Sequence, residues 1–429
     1  MRHAYSQYQQ TDIGWIGDVP KHWSKKKFKY LLSEKPKTQN IELSCGSISF
    51  GSVVYKDSEK LTEETKLAYQ EVLSGEFLVN PLNLNYDLKS LRTALSEIDV
   101  IVSSGYIVLK SEGVVDKNYL KWLLFVFDIR QMKTLGAGIR QTITFRDIGN
   151  CTTYIPSCEE QKFIAIFLDG QIARIDNLIA EKQDFISLLK EKQQTLISHV
   201  VTKGLAPKVK MKDSGIEWIG RVPKHWAVGA LGYYATLNTG ATPERDKSEY
   251  WGGDIPWLST SEVRYKTITE SNEYITELGL SNSSTRISPP GTLVMAMYGQ
   301  GVTRGRVAIL GIHAAYNQAC VAISPNSKVL NEYLQYFYIA AYNEIRVTGN
   351  LTSQMNLNAY LVGKFKIIVP PMNEQYEVVK FLNEEKMGID TLEQETERSI
   401  ELLKEYRTAL ISAAVTGKFD VRNYKEEAS

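Results

Sequence analysis

The sequence predicts two unlike α/β (α+β) domains joined by two long antiparallel coiled-coil helices, in a pseudo-two-fold tandem repeat. Three observations lead there. IGWIGDVPKHW, Ile13–Trp23, returns as IEWIGRVPKHW, Ile216–Trp226, with nine of eleven positions identical. The 50 residues Ile155–Gly204 align without a gap to Val369–Lys418, with 19 identities. The blocks between these shared parts, roughly 24–154 and 227–368, show little similarity to each other. Internal repeats of this kind fix the architecture before any finer reading does. The order is box, variable block, helix, then box, variable block, helix, so the repeated parts read as a frame and the blocks as two different readers mounted on it.

Length and composition bound the rest. A chain of 429 residues suggests two to four domains, and 43% hydrophobic residues suffice for packed cores. The start MRHAYSQYQQ has no apolar signal region, and the longest apolar run, near Trp122–Phe127, is far short of a membrane span. The four cysteines (Cys45, Cys151, Cys158, Cys320) form no CxxC pair and no zinc spacing. The expectation is a cytoplasmic protein with reduced thiols and no metal or membrane partner. The net charge of +1 conceals an alternation. Residues 1–158 carry 20 basic against 17 acidic side chains, and 206–372 carry 16 against 12. Residues 159–205 carry 6 against 7, and 373–429 carry 8 against 13. Two mildly basic units alternating with acidic elements suit two nucleic-acid-facing readers on a frame that faces something else.

Taken in chain order, residues 1–154 form the first domain. GEFLVN (Gly75–Asn80), DVIVSSGYIVLK (Asp99–Lys110) and TTYIP (Thr152–Pro156) read as strands, and Asn118–Leu135 as a buried helix. Residues 155–205 read as one long helix. Pro156 stands just before it, Glu159 and Glu160 occupy its first turn, where the helix dipole favours anions, and no proline interrupts it. An alternating four–three spacing picks out a seam of Leu168, Ile172, Ile175, Ile179, Lys182, Ile186, Leu189, Gln193, Leu196 and Val200. After the short segment KGLAPKVKMKDSG the second domain, 206–368, repeats the plan. GTLVMAMY (Gly291–Tyr298), GRVAIL (Gly305–Leu310) and ACVAIS (Ala319–Ser324) are its strands, and Asn331–Gly349 its helix. The second long helix, 369–420, has Leu382, Ile389, Ile400, Leu403 and Leu410 on its seam, and 421–429 form a tail. A helix of this length with a single apolar stripe needs a partner, and the other copy is the nearest. The short connection then makes the pair antiparallel, the ordinary outcome of a closed two-fold association.

The box opening each half, together with the EQ…FL…ID…LLKE…LIS…VT helix closing it and TPERDKSEYWGGDIPWLSTSEV (Thr242–Val263), resembles the specificity subunits of Type I restriction–modification systems. The resemblance runs through essentially the whole chain. It implies that each variable block is a target recognition domain reading one half of a split, asymmetric site on double-stranded DNA. It implies that the helix pair spaces the halves and docks two methyltransferase (modification) subunits, joined in the full complex by restriction/translocase subunits. S-adenosylmethionine, ATP and magnesium would serve those partners, and no cofactor would serve this chain.

The residues themselves offer little catalytic chemistry. The five histidines form no HxxxH or HExxH pair, and His22 and His225 sit in the repeated PKHW, where packing beside tryptophan is the simpler role. Asn80-Pro81-Leu82-Asn83 lacks the second proline and aromatic of an amino-methyltransferase site. GQGVTRGR (Gly299–Arg306) lacks the lysine of a phosphate-binding loop. It reads better as a loop between strands that presents Gln300, Thr303, Arg304 and Arg306 to base edges. GAGIRQTITF supplies Arg140, Gln141 and Thr142 in the first half. Thr352, Ser353 and Gln354 would meet phosphate at a helix start, and Lys25, Lys26 and Lys27 would steer the backbone. The tryptophans Trp15, Trp23, Trp218 and Trp226 are expected to anchor each box. Two rival readings are a stand-alone DNA methyltransferase or nuclease, and a coiled-coil scaffold without nucleic acid.

Overall fold

The structure, a computed structural model, describes residues 4–49, 51–57, 61–82, 91–135, 142–299, 302–349 and 356–422. It divides into two compact units. The first contains Met1–Lys182 and Arg398–Ser429, the second Gln183–Glu397, so each unit takes a stretch of both long helices.

In the first unit, β1 (Ser24–Lys27) comes directly after the box. It is succeeded by β2 (Leu32–Glu34), β3 (Gly46–Ser49), β4 (Ser52–Tyr55), β5 (Phe77–Val79), β6 (Thr93–Leu95) and β7 (Ile107–Ser111). The last six form one sheet in the order β2-β7-β5-β6-β4-β3. The segment read as DVIVSSGYIVLK is two strands: its first half, Val100–Ser103, turns away to pair with Tyr69–Val72, and only its second half, β7, joins this sheet. Helix α1 (Lys117–Arg130), capped by the Asp116 carboxylate, packs Phe127 against Trp15 and Phe28 of the box region. It is shorter than the sequence suggests, because at Gln131 the backbone leaves helical geometry and a single 3₁₀ turn, Met132–Thr134, succeeds it. β8 (Thr152–Ile155) then pairs antiparallel with β1, Ile155 opposite Ser24, and closes the block at its two sequence ends. Helix α2 (Cys158–Lys203) begins three residues later and runs for 46 residues, about 70 Å at ~1.5 Å per residue.

The second unit reuses the closure. β9 (Ala227–Ala230) pairs with β16 (Lys366–Val369), with Ala227 opposite Val369. Between them lie β10 (Ala235–Thr239), β11 (Trp251–Leu258), β12 (Glu273–Ile275), β13 (Leu293–Ala296), β14 (Val307–Ile309) and β15 (Cys320–Pro325). The main sheet has the order β10-β15-β13-β14, and β11 pairs with β12 and with the short strand Ala315–Tyr316 in a second sheet. The sequence suggests one helix over Asn331–Gly349, but the structure has two, α3 (Asn331–Ala340) and α4 (Tyr342–Gly349). The break is at Ala341, whose ψ of 8° opens the turn. α5 (Met372–Val415) is the second long helix.

Each box is held by the same three devices. In the first unit, the Glu160 carboxylate at the start of α2 accepts from the Trp23 indole at 3.1 Å and from the Tyr5 hydroxyl at 2.5 Å, and meets His22 Nε2 at 2.8 Å. In the second, Glu374 accepts from Trp226 at 2.8 Å and meets His225 at 2.6 Å. The next residue is a buried glutamine in both copies. Gln161 accepts the Asp116 N–H at 2.8 Å and donates to the Pro156 carbonyl at 2.9 Å, and Gln375 does the same with Leu330 and Pro370 at 2.9 and 2.8 Å. The third device is the far end of the other helix. Lys203, ending α2, donates to the carbonyls of Ile219 and Arg221 at 2.9 and 2.5 Å. Lys418, just past α5, donates to Ile16 and Asp18 at 3.0 and 2.5 Å. Partial burial pushes both ammonium groups below the ordinary lysine range. Gly204 and Gly417 let the chain turn at φ of 77° and 70° directly against Trp226 and against Trp23 and Pro20. The tyrosines of the block helices complete the match, Tyr119 donating to the Val415 carbonyl at 3.5 Å and Tyr333 to Val201 at 3.1 Å.

The seam residues lie on the inner face of the long helices. In the first unit Leu168, Ile175 and Leu410 are buried and Leu403 packs on the same core. There Phe167 meets Phe419 at 5.8 Å and Asp176 pairs with Arg407 at 2.8 Å, so the start of α2 lies beside the end of α5. In the second unit Leu189 and Ile389 are buried, Leu382 joins the core and Leu196 packs against it. Ile186 is half-buried and Ile400 is buried. The second copy's weaker apolar pattern has a cause: Glu393 and Arg407 occupy seam positions and pair with Lys190 (2.8 Å) and Asp176.

Candidate nucleic-acid interface

In the second unit the residues of the Gly299–Arg306 stretch that the structure describes lie on the turn between β13 and β14. Gly305 has φ of 85°, and a Cβ there would come within 2.9 Å of Ile345 and 3.2 Å of Arg346. Glycine therefore lets the turn lie directly on α4. The Tyr342 hydroxyl donates to the Val302 carbonyl at 2.5 Å, and Arg346 donates to that hydroxyl at 3.2 Å. The break at Ala341 is what sets Tyr342 and Arg346 against this turn. Thr303, Arg304 and Arg306 are all half-buried, with the Arg306 N–H bonded to the Thr303 carbonyl at 3.1 Å. The Arg306 guanidinium lies over the Tyr265 ring at 5.8 Å, and Arg346 over Tyr342 at 5.1 Å. Burial raises the Tyr265 phenol well above its ordinary range, with Tyr342 adding to the rise and Arg306 and Arg346 opposing it. The result is a corner of alternating rings and cations. Such a corner suits a polyanion carrying planar bases.

β11 makes a second rigid edge on this unit. The Arg245 guanidinium lies 3.9 Å from the Trp251 ring centre and 4.9 Å from that of Trp257, and pairs with Glu273 through both nitrogens at 2.5 and 3.0 Å. The carboxylate already engages this arginine, so the TPERDKSEYWGGDIPW stretch serves to hold its own loop. Gly253 explains its place in the motif: a Cβ would lie 2.6 Å from the Ile275 carbonyl.

In the first unit Lys25, Lys26 and Lys27 form the fully exposed strand β1. With Tyr30, Val114 and Thr152 they line an open cavity of about 530 Å³. Lys25 is pinned by Asp12 at 2.9 Å, which raises its ammonium above the ordinary lysine range. The matching strand of the second unit, β9, reads Ala-Val-Gly-Ala, so the frame does not require the lysines. Thr142 is exposed and bridges to Leu82, beside the buried Ile143. Arg140, Gln141, Gln300, Thr352, Ser353 and Gln354 lie outside the described residues.

The four tryptophans do anchor the boxes. Trp15, Trp23 and Trp226 are buried, and Trp218 packs on Phe337 at 5.9 Å. Sequence reasoning missed the lysine of each clamp for a definable reason. Lys203-Gly204 and Gly417-Lys418 come in opposite order, so a gapless alignment sets each lysine against a glycine. Tyr265, Tyr342 and Arg346 carried no sequence signal at all, because their partners come from separate segments. Among the described residues no group of His, Cys, Asp and Glu could hold a metal ion, and no helix is long and apolar enough to cross a membrane.

Residues 223–402 match the family model described as the Type I restriction modification DNA specificity domain. The chain is similar to the Type I restriction enzyme EcoR124I/EcoR124II specificity subunit of Escherichia coli, at 26% identity over 211 residues. That match covers 47% of this chain and about half, 49%, of the relative. A putative type I restriction enzyme MjaX specificity subunit of Methanocaldococcus jannaschii is 20% identical over 427 residues, covering 95% of this chain and 96% of that one. Among solved structures, a chain from work on complex assembly and conformational transition of the type I R-M system superposes with a TM-score of 0.71 at 14% identity. It covers 92% of this chain and 98% of that chain. The HsdS subunit of Thermoanaerobacter tengcongensis gives 0.52 at 15% identity, covering 94% and 98%. These structural likenesses bear on the fold.

Proposed function

The chain is a relative of the specificity subunits of Type I restriction–modification systems, and from that premise we propose that it is the DNA sequence-recognition subunit of such a complex. The observation that carries this is the pair of unlike blocks held by like clamps, the second block lying within the matched specificity domain. A frame that repeats Glu-Gln, Trp and Lys contacts to the same box positions, while leaving the blocks free to diverge, is what independent reading of two half-sites needs. Each block reads one half of a bipartite, asymmetric site on double-stranded DNA. Arg304, Arg306 and Thr303 with Gln300 serve the second block. Arg140, Gln141 and Thr142 serve the first, with Lys25, Lys26 and Lys27 steering phosphate and Thr352, Ser353 and Gln354 meeting it. The specificity subunit is the non-catalytic part of its enzyme. Methyl transfer and cleavage belong to partner subunits, which supply S-adenosylmethionine, ATP and magnesium chemistry.

The long helices, on this reading, form an antiparallel coiled coil that spaces the half-sites and docks two methyltransferase subunits. Support comes from Phe167–Phe419 and Asp176–Arg407 in one unit and Lys190–Glu393 in the other. Further support comes from leucines identical in both repeats yet turned outward: Leu178 and Leu188 are 41% and 61% exposed, and their counterparts Leu392 and Leu402 are 45% and 57% exposed. The same outward apolar pair on both helices fits two copies of one partner. Restriction/translocase subunits would join that assembly.

The test is methylome sequencing of cells expressing this chain with the neighbouring methyltransferase subunit. N6-methyladenine at a split, asymmetric motif, lost on deleting this chain, is the expected result. Modification that persists without the chain would transfer the specificity elsewhere and leave the scaffold reading.

A further inference from the structure

The strained backbone of the second unit lies at the ring-and-cation corner. Tyr265, with φ of 65°, is the only non-glycine residue with positive φ among the described residues. Such a conformation persists only where the surroundings over-determine it, and it clusters at functional sites. Here the Tyr265 N–H donates to the Val307 carbonyl at 2.9 Å, and its carbonyl accepts from Gln335 Nε2 at 3.0 Å. Its ring meets Tyr342 edge-on at 6.2 Å, with Arg306 over it. Exposed Arg264 and Lys266 flank it.

Arg306 is unusual in turn. Its Nε is buried with no hydrogen-bond partner. A long cation held over an aromatic floor, its residue half-buried, is poised to offer its terminal nitrogens to an external acceptor. Resting on the reading of this block as a DNA reader, we infer that Tyr265 is a positioning residue for sequence readout. Its ring, fixed by the left-handed backbone, aims the Arg306 guanidinium at the major-groove edge of a G·C pair. Guanine offers the O6 and N7 acceptors that an arginine fork matches. Pinning the side chain beforehand removes part of the rotamer entropy that binding would otherwise cost.

The purified full-length chain would select from a duplex library randomised over about thirty base pairs, enough for two half-sites a helical turn or more apart. The wild type should yield a two-part consensus. Affinity for the consensus against duplexes with either half scrambled is then measured for Arg306→Ala, Tyr265→Gly and Tyr265→Phe, each with a thermal melt. Arg306→Ala and Tyr265→Gly should each lose about tenfold discrimination at one and the same half, with the other half untouched. Arg304→Ala tests whether its neighbour reads the same half. Tyr265→Gly relieves the φ strain but removes a ring packed on the core, so its discrimination is compared with that of the phenylalanine variant at a temperature well below both melts. Tyr265→Phe, which keeps the ring, should restore discrimination to within about threefold of wild type. Tyr265→Gly discriminating like wild type overturns the inference. So does a loss spread equally over both halves with a lowered melt, which marks a merely structural residue, or a Tyr265→Phe as defective as the glycine variant. If the wild type selects no two-part consensus, the DNA-recognition reading itself falls and takes this inference with it.

Discussion

Among single residues, one carboxamide repeated in both halves ties each block to its long helix. Gln161 is 1% exposed and Gln375 fully buried, and each bonds an N–H at the entry of its block helix and the carbonyl of the proline before its long helix. Removing one amide strands both groups in the core. Gln161→Ala should therefore cost about 1–3 kcal/mol in denaturant unfolding of the full chain. An unchanged midpoint would mean that water or backbone shifts replace the amide without loss. The glutamines were legible in part: the identical Glu-Gln pair stood out in the repeat, but nothing in one sequence says which side chains a carboxamide meets. The helix-dipole reading of Glu160 was likewise incomplete, because the carboxylate also collects Tyr5, His22 and Trp23.

Among the elements, the long helices were the most legible part of the chain, because a four–three apolar spacing survives over many turns. Their ends shifted by only a few residues, α2 spanning Cys158–Lys203 and α5 Met372–Val415. The variable blocks were less legible. Short strands and a helix broken at Ala341 depend on what packs against them, as the turn at Gly305 packs on α4. The spacer role proposed for these helices is open to test. Inserting four residues into α2 near Lys182 adds about 6 Å and rotates the downstream part of the helix by roughly 40°. The preferred gap between half-sites should change in the methylome of the variant. An unchanged gap in a variant that still melts cooperatively would remove the spacer role.

Across the whole molecule, the frame and the blocks meet through the β1–β8 and β9–β16 pairings, the glutamine bridge, the tyrosine to the opposite helix end and a shared core in which Phe127 packs on Trp15 and Phe337 on Trp218. A block that keeps these should be exchangeable. On the proposed function, replacing 227–368 by the corresponding block of a specificity subunit that the chain resembles, with the tyrosine and both edge strands retained, should change one half of the methylated motif and leave the other half and the gap as they were. Change in both halves would show that the blocks do not read independently.

The duplication, the two long helices with their apolar seams and the unlike pair of blocks were all written in the amino-acid order. They rest on periodicity and local signals that a linear chain carries openly. The locking of each box was settled by three-dimensional packing, because Lys203 and Lys418 reach equivalent carbonyls from opposite sides of a glycine and no alignment column records that. Packing also settled the corner of Tyr265, Arg306, Tyr342 and Arg346. These side chains are drawn from three separate segments, brought together by strand pairing and a helix break whose energies are set by contacts across the fold.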